Sequence, residues 1–268
     1  MFVKKALLLP GLLLVVGYDC FAHMVEHNPL EAFQKSQWLN HVDYSPYNIS
    51  LDVSRSRLPA EGGWVEVTWS NVPYPGSDDL LALFVPAEAN PRETSFAKYQ
   101  WAIASPDHLP HGKGTLRFHL LNMRTDVCFA FIRNPKEWSV VAAQSDIISF
   151  ENFNIPLQGH LALTGIPGEM LVQWTTRDLG NPEVRFGTAS GQLEHTVAAR
   201  ETVTYARDEL CGPPASTVGY VDPGRMHRAL LQDLQPDTRY FYQYGDKDFG
   251  FSPEGSFVTA PPTGPGAR

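Results

Sequence analysis

Nine histidines, three cysteines and the adjacent pair Asp78-Asp79 are the side chains of this 268-residue chain best suited to chemistry. Zinc-type catalysis needs imidazoles at a spacing that turns several lone pairs toward one point, as two histidines flanking a glutamate on one helix do. No such pair is present. His108 and His111 stand in "SPDHLPHGKG", where proline and glycine make a solvated loop the expected setting. Asp78 and Asp79 close the turn-rich "NVPYPGSDD" and read as solvated turn carboxylates. A cut before His23 would leave an amine and an imidazole able to chelate copper, given a second histidine from elsewhere in the chain. Cys128 lies in an apolar strand and reads as a packing thiol. No serine occupies a Gly-x-Ser-x-Gly elbow, and no glycine-rich phosphate loop is found. The chain shows no active site of its own.

The elements around these residues are strands. "WVEVTWS" puts Val65, Val67 and Trp69 on one face, and "MLVQWTT" does the same with Met170, Val172 and Trp174. Period two marks a strand with one buried face. The two tryptophans are separated by about one immunoglobulin-type domain, roughly 100 residues. "LLQDLQPDTRYFYQYG" carries the leucine, proline and tyrosine of a tyrosine corner, with Tyr240 returning its hydroxyl to the backbone near Leu234. "LLNMRTDVCFAFI" matches it in register, Met123 at Leu234 and Phe129 at Tyr240, so the first copy lacks the corner hydroxyl. The expectation is an all-β chain of two tandem immunoglobulin or fibronectin type III-like sandwiches, residues 48–150 and 159–260. Residues 151–158 form a linker between them, and 261–268 a proline- and glycine-rich tail.

A net charge of −8 with no basic face excludes nucleic acid as a partner. Lys4 and Lys5, the apolar Ala6–Val16 and small residues up to Ala22 have the layout of a secretory signal peptide, residues 1–22. The apolar run is shorter than the ~20 residues of a bilayer span. Cleavage leaves no transmembrane span, and an uncleaved N-terminal anchor is the alternative. Residues 23–47 read as an N-terminal extension. "NIS" at Asn48 is a glycosylation acceptor, which suits an extracellular or vacuolar protein. Cys20 lies in the signal, and the pairing of Cys128 and Cys211 is left open by the sequence.

The motifs then become more specific than the fold. "LPAEGGWVEVTWSNVPYPGSDDLLALFVPAEA", "KYQWA" and "GKGTLRFHLLNMRTD" resemble the first domain of long-form, plant-type purple acid phosphatases. "RDELCGPPAS", "STVGYVDPGRMHRALLQDLQPDTRYFYQYG" and "FSPEGSFVTAPP" resemble the fibronectin-like domain that precedes their catalytic domain. The resemblance spans nearly all of residues 49–262. It implies a parent enzyme that hydrolyses phosphate monoesters at iron plus a second divalent metal (zinc, manganese or iron) in a metallophosphoesterase domain. The ligand motifs of that domain do not occur here, so no metal, cofactor or catalytic residue is carried over. The resemblance implies a non-catalytic N-terminal region whose tail leads to a catalytic domain absent from this chain. Cys211, Asp222, Arg225 and His227 are the candidates for a surface facing that domain, an ordinary long hairpin loop being the alternative. A complete secreted tandem-sandwich module binding carbohydrate or protein is the competing function.

Overall fold

The computed structural model describes residues 48–90, 94–133 and 140–262. The signal peptide, the extension and His23 lie outside the described residues. Residues up to Phe150 form β1 (Ser50–Val53), β2 (Arg57–Leu58), β3 (Gly62–Ser70), β4 (Leu80–Phe84), β5 (Lys98–Trp101), β6 (Gly114–Leu121), β7 (Cys128–Arg133), β8 (Val140–Gln144) and β9 (Ser149–Phe150). Beyond them come β10 (Leu157–Ala162), β11 (Met170–Thr176), β12 (Glu183–Gly187), β13 (His195–Ala198), β14 (Glu201–Val203), β15 (Arg225–Leu231), β16 (Arg239–Asp246), β17 (Gly250–Phe251) and β18 (Gly255–Val258).

A similar sheet ordering occurs twice, with one more strand in each sheet of the second domain. The first domain packs β1-β3-β6 against β5-β4-β7-β8. The second packs β10-β11-β15-β14 against β13-β12-β16-β17, with β18 also paired to β16. Each is an antiparallel two-sheet sandwich, and the alternating strands β3 and β11 line the cores as their period requires. Trp69 and Trp174 are both buried, each in its own hydrophobic cluster. The tyrosine corner is present: the Gln235 amide donates to the Tyr240 hydroxyl at 3.0 Å. At the matching place in the first domain stands the fully buried Phe129.

Two expectations are corrected. His108 and Asp79 are not solvated; neither exposes any surface. A buried indole N–H needs an acceptor, and Trp69 Nε1 donates to His108 Nδ1 at 3.2 Å. With Nδ1 accepting, the ring carries its proton on Nε2, which faces Asp79 Oδ2 at 3.3 Å and the Gly76 carbonyl at 3.1 Å. Asp79 Oδ2 also accepts from the Gly76 amide, and Arg133 Nε lies 3.4 Å from Oδ1. The short helix His108–His111 delivers the imidazole; His111, near Asp107, stays exposed.

The second correction concerns the linker, which is ordered and shorter than 151–158 because β10 begins at Leu157. Asn152 Nδ2 donates to the Phe249 carbonyl at 2.6 Å, and the Asn152 carbonyl accepts from Asn122 Nδ2 at 2.7 Å. Asn154 Nδ2 donates to Asp178 Oδ2 at 2.7 Å, while Asn154 Oδ1 accepts from the Asp178 amide. Asn152 thus links Asn122 of the first sandwich to Phe249 of the second, and Asn154 ties the linker to the second.

Two substitutions test these contacts. Tyr240→Phe should lower the stability of the second domain by about 1 kcal/mol and leave the first unchanged, read as separate urea transitions. Asp79→Ala takes a buried carboxylate away from His108, Arg133 and the Gly76 amide and should cost the first domain about 1–3 kcal/mol, seen as an earlier loss of its urea transition.

Candidate functional site at the domain junction

Between β14 and β15 the chain makes a long excursion, residues 204–224, without an apolar period. Its backbone is held by local polar contacts. Thr204 Oγ1 donates to the Gly224 carbonyl at 2.8 Å, and the Gly224 amide to Asp222 Oδ1 at 2.8 Å. The Tyr220 hydroxyl donates to the Tyr205 carbonyl at 3.3 Å, and the Arg207 guanidinium sits 5.1 Å from the Tyr220 ring centre. Gly224 has φ +76°, and a Cβ there would come within 2.3 Å of the Thr176 carbonyl, so the turn requires glycine. The excursion also reaches the first domain, where the Ser95 amide donates to the Val218 carbonyl at 2.8 Å.

From the other side comes Arg124, in the turn after β6. Its backbone adopts φ +65°, and its amide donates to Asn122 Oδ1 at 2.8 Å. The side chain crosses the junction, and Nη2 donates to Thr175 Oγ1 on β11. Nη1 is buried without a hydrogen-bond partner among the described residues. Burial lowers the pKa of this guanidinium from the usual arginine value. The turn and the excursion enclose a cavity of about 520 Å³ whose lining includes Met123, Arg124, Arg177, Arg207, Asp222 and Arg225.

The four candidates from the sequence separate here. Asp222 and Arg225 are exposed and line this cavity. Cys211 is exposed on the excursion, outside the cavity lining, and forms no disulfide among the described residues. His227, expected near the surface, is buried. It pairs directly with Trp174 across β11 and β15, so both side chains point into the sandwich, with ring centres 5.3 Å apart. Thr176 Oγ1 donates to the Asp178 carbonyl at 2.6 Å and so accepts from His227 Nε2 at 2.7 Å. Nδ1 is then the acceptor for Thr202 Oγ1 at 2.9 Å. Burial, and next the positive charge of Arg124, push the imidazole pKa down to about 4. His227 is a neutral structural strut within the second sandwich.

Arg124, Arg177, Arg207 and Tyr220 escape the sequence reading, because nothing in one sequence marks the turn after β6 and the end of β11 as neighbours. Asn48 is exposed, as an acceptor for glycan must be. No helix among the described residues is long and apolar enough to cross a membrane. Among the same residues no group of three or more histidine, cysteine, aspartate or glutamate side chains converges on a metal position. The described residues do not fit the metal pair that the resemblance implies for the parent enzyme.

The fold and junction define a pair of fibronectin-type sandwiches joined by a hydrogen-bonded seam, with no catalytic constellation among the described residues. Comparison with known proteins places it. A family model described as the Fn3-like domain from purple acid phosphatase matches residues 50–152, and one described as the purple acid phosphatase N-terminal domain matches residues 156–259. The fibronectin-like description falls on the first sandwich, whereas the sequence motifs point to the second; the shared strand order accommodates both. Arabidopsis thaliana "Probable inactive purple acid phosphatase 1" is 36% identical over 197 residues, covering 65% of this chain and 31% of its own length. "Probable inactive purple acid phosphatase 27" of the same plant is 34% identical over 235 residues, covering 78% of this chain and 38% of its own length. The solved structure of purple acid phosphatase PPD1 from yellow lupin (Lupinus luteus) seeds aligns with a TM-score of 0.72 at 29% identity, covering 80% of this chain and 41% of that one. The chain belongs to the purple acid phosphatase family, as its N-terminal two-sandwich region. It spans about a third of the length of these curated relatives.

The neutral, buried His227 gives the second domain a pH signature. Its folded pKa of about 4 lies below the unfolded value near 6.5, so the unfolded chain takes up a proton first as pH falls. The associated stability is complete above pH 6.5 and is lost on the way down to pH 4, by about 2 kcal/mol at pH 5. Urea midpoints of the second domain at pH 7 and pH 5 should differ in the native chain and converge in His227→Gln.

Proposed function

We propose that this chain is the non-catalytic N-terminal region of a purple-acid-phosphatase-like protein, and that it packs against and positions a metallophosphoesterase domain. The observation that carries this reading is the construction of the 204–224 excursion. It has no core-facing period, yet its backbone is pinned to its own domain at Gly224 and to the first sandwich through Val218. A surface held on two bodies keeps one orientation. It presents Cys211, Asp222 and Arg225 outward, and loops held by a rigid sandwich are the usual carriers of binding residues. The parent reaction in this reading is phosphate monoester hydrolysis at iron plus a second divalent metal, supplied wholly by the partner domain. The Arabidopsis relatives are named as probably inactive, and the positioning role stands whether or not the partner domain turns substrate over. Export to the extracellular space or vacuole, with a glycan on Asn48, completes the proposal.

Hydrogen exchange compares this chain with one extended through a metallophosphoesterase domain. Residues 204–225 should gain protection in the extended protein, and equal protection in both removes the docking role. The chain alone should leave a chromogenic phosphomonoester untouched with iron and zinc added. Chelator-sensitive turnover above a metal-only blank would overturn its assignment as a non-catalytic region.

A further inference from the structure

The cleft at the junction contains more positive charge than it neutralises. Arg124, Arg177, Arg207 and Arg225 line it against two acids, Asp178 and Asp222. Both acids are already engaged. Asp178 Oδ2 accepts from Asn154 and its Oδ1 lies 3.8 Å from Arg177 Nε, while Asp222 Oδ1 accepts from the Gly224 amide. At the floor, the Arg124 guanidinium is partly buried, its Nη1 is buried with no partner among the described residues, and its Nη2 donates to a neutral hydroxyl. A partly buried cation with an unmet donor is costly, and a common remedy is a charge-assisted contact to an oxyanion, for which guanidinium has the matching fork.

We infer that the interdomain cleft is a binding site for a small dianionic oxyanion of the phosphate or sulfate type, seated over Arg124 and flanked by Arg225 and Arg177. Charge supports the dianion. Four guanidiniums against two carboxylates leave two positive charges, which one such anion cancels. Size supports a discrete site, since a cavity of about 520 Å³ lies in the range of small-molecule pockets, roughly 300–1,000 Å³. The site would join residues from both sandwiches, so its ligand would brace their relative orientation. The inference concerns this chain alone and does not rest on docking to a catalytic domain.

Titration calorimetry of the purified chain tests it, with inorganic phosphate and inorganic sulfate as separate arms at fixed ionic strength made up with sodium chloride. The expected result is saturable binding of one equivalent of at least one of the two, at least tenfold weaker in Arg124→Gln and in Arg225→Gln. Arg239→Gln, altering an arginine outside the cavity lining, should bind as the native chain does. Arg225 and Arg177 are solvent-facing, so Arg225→Gln and Arg177→Gln carry the test if Arg124→Gln does not fold. Phosphate binding without sulfate binding assigns the site to phosphate, and the reverse to sulfate. Absence of saturable binding in both arms, or equal affinity in all the cleft variants, overturns the inference.

Discussion

Each sandwich is built around a tryptophan that must give up water around its indole N–H in order to fill the space between two sheets. The two copies meet that constraint differently. Trp69 finds an imidazole, and the imidazole in turn draws Asp79 and Arg133 into the interior. Trp174 has no partner for Nε1 among the described residues, although His227 lies beside its ring. His227 instead spends both nitrogens on threonines that tie β11 to β14. One domain therefore answers its indole with a buried ionic network, and the other surrounds it with aromatic rings and a neutral hydroxyl–imidazole chain. The surface loops 76–79 and 105–112 follow from the first choice.

The junction inherits its properties from these cores. Thr175 and Thr176 adjoin the indole position on β11; Thr175 receives Arg124 from the first domain, and Thr176 receives His227 from within the second. Asn152 and Asn154 close the same seam from the linker side. A seam that joins the domains through amides, hydroxyls and a guanidinium depends on the geometry of its directional bonds as well as on area.

Much of the fold was legible because strand period and turn chemistry are local properties. The alternation in "WVEVTWS" and "MLVQWTT" locates β3 and β11, and the spacing from Leu234 to Tyr240 locates the corner. The failures share one cause. His108, Asp79 and His227 are polar residues that reading by composition assigns to water, yet each is buried because a neighbour far away in sequence needs its lone pair or proton. Arg124 is hidden for the same reason: its partner lies in another domain. Local patterns report which backbone forms. They do not report which buried donor is looking for an acceptor.

The central strands of the first domain carry one more consequence. β4 and β7 are buried on both faces, because Leu81, Leu83, Phe129 and Phe131 fill the space between the sheets while Leu80, Phe84, Ala130 and Ile132 form a second cluster on the opposite side, beneath Ala87 and Phe96. β3 and β6, by contrast, turn every second side chain to solvent. Tolerance to sequence change is therefore lopsided within one domain. Drift has more room on Trp64, Glu66, Thr68 and their neighbours on β6, where side chains meet solvent and one another rather than a core. Along "LLALF" and "CFAFI" no position is spare, and the two strands behave as a single non-negotiable block to which the rest of the domain must adapt.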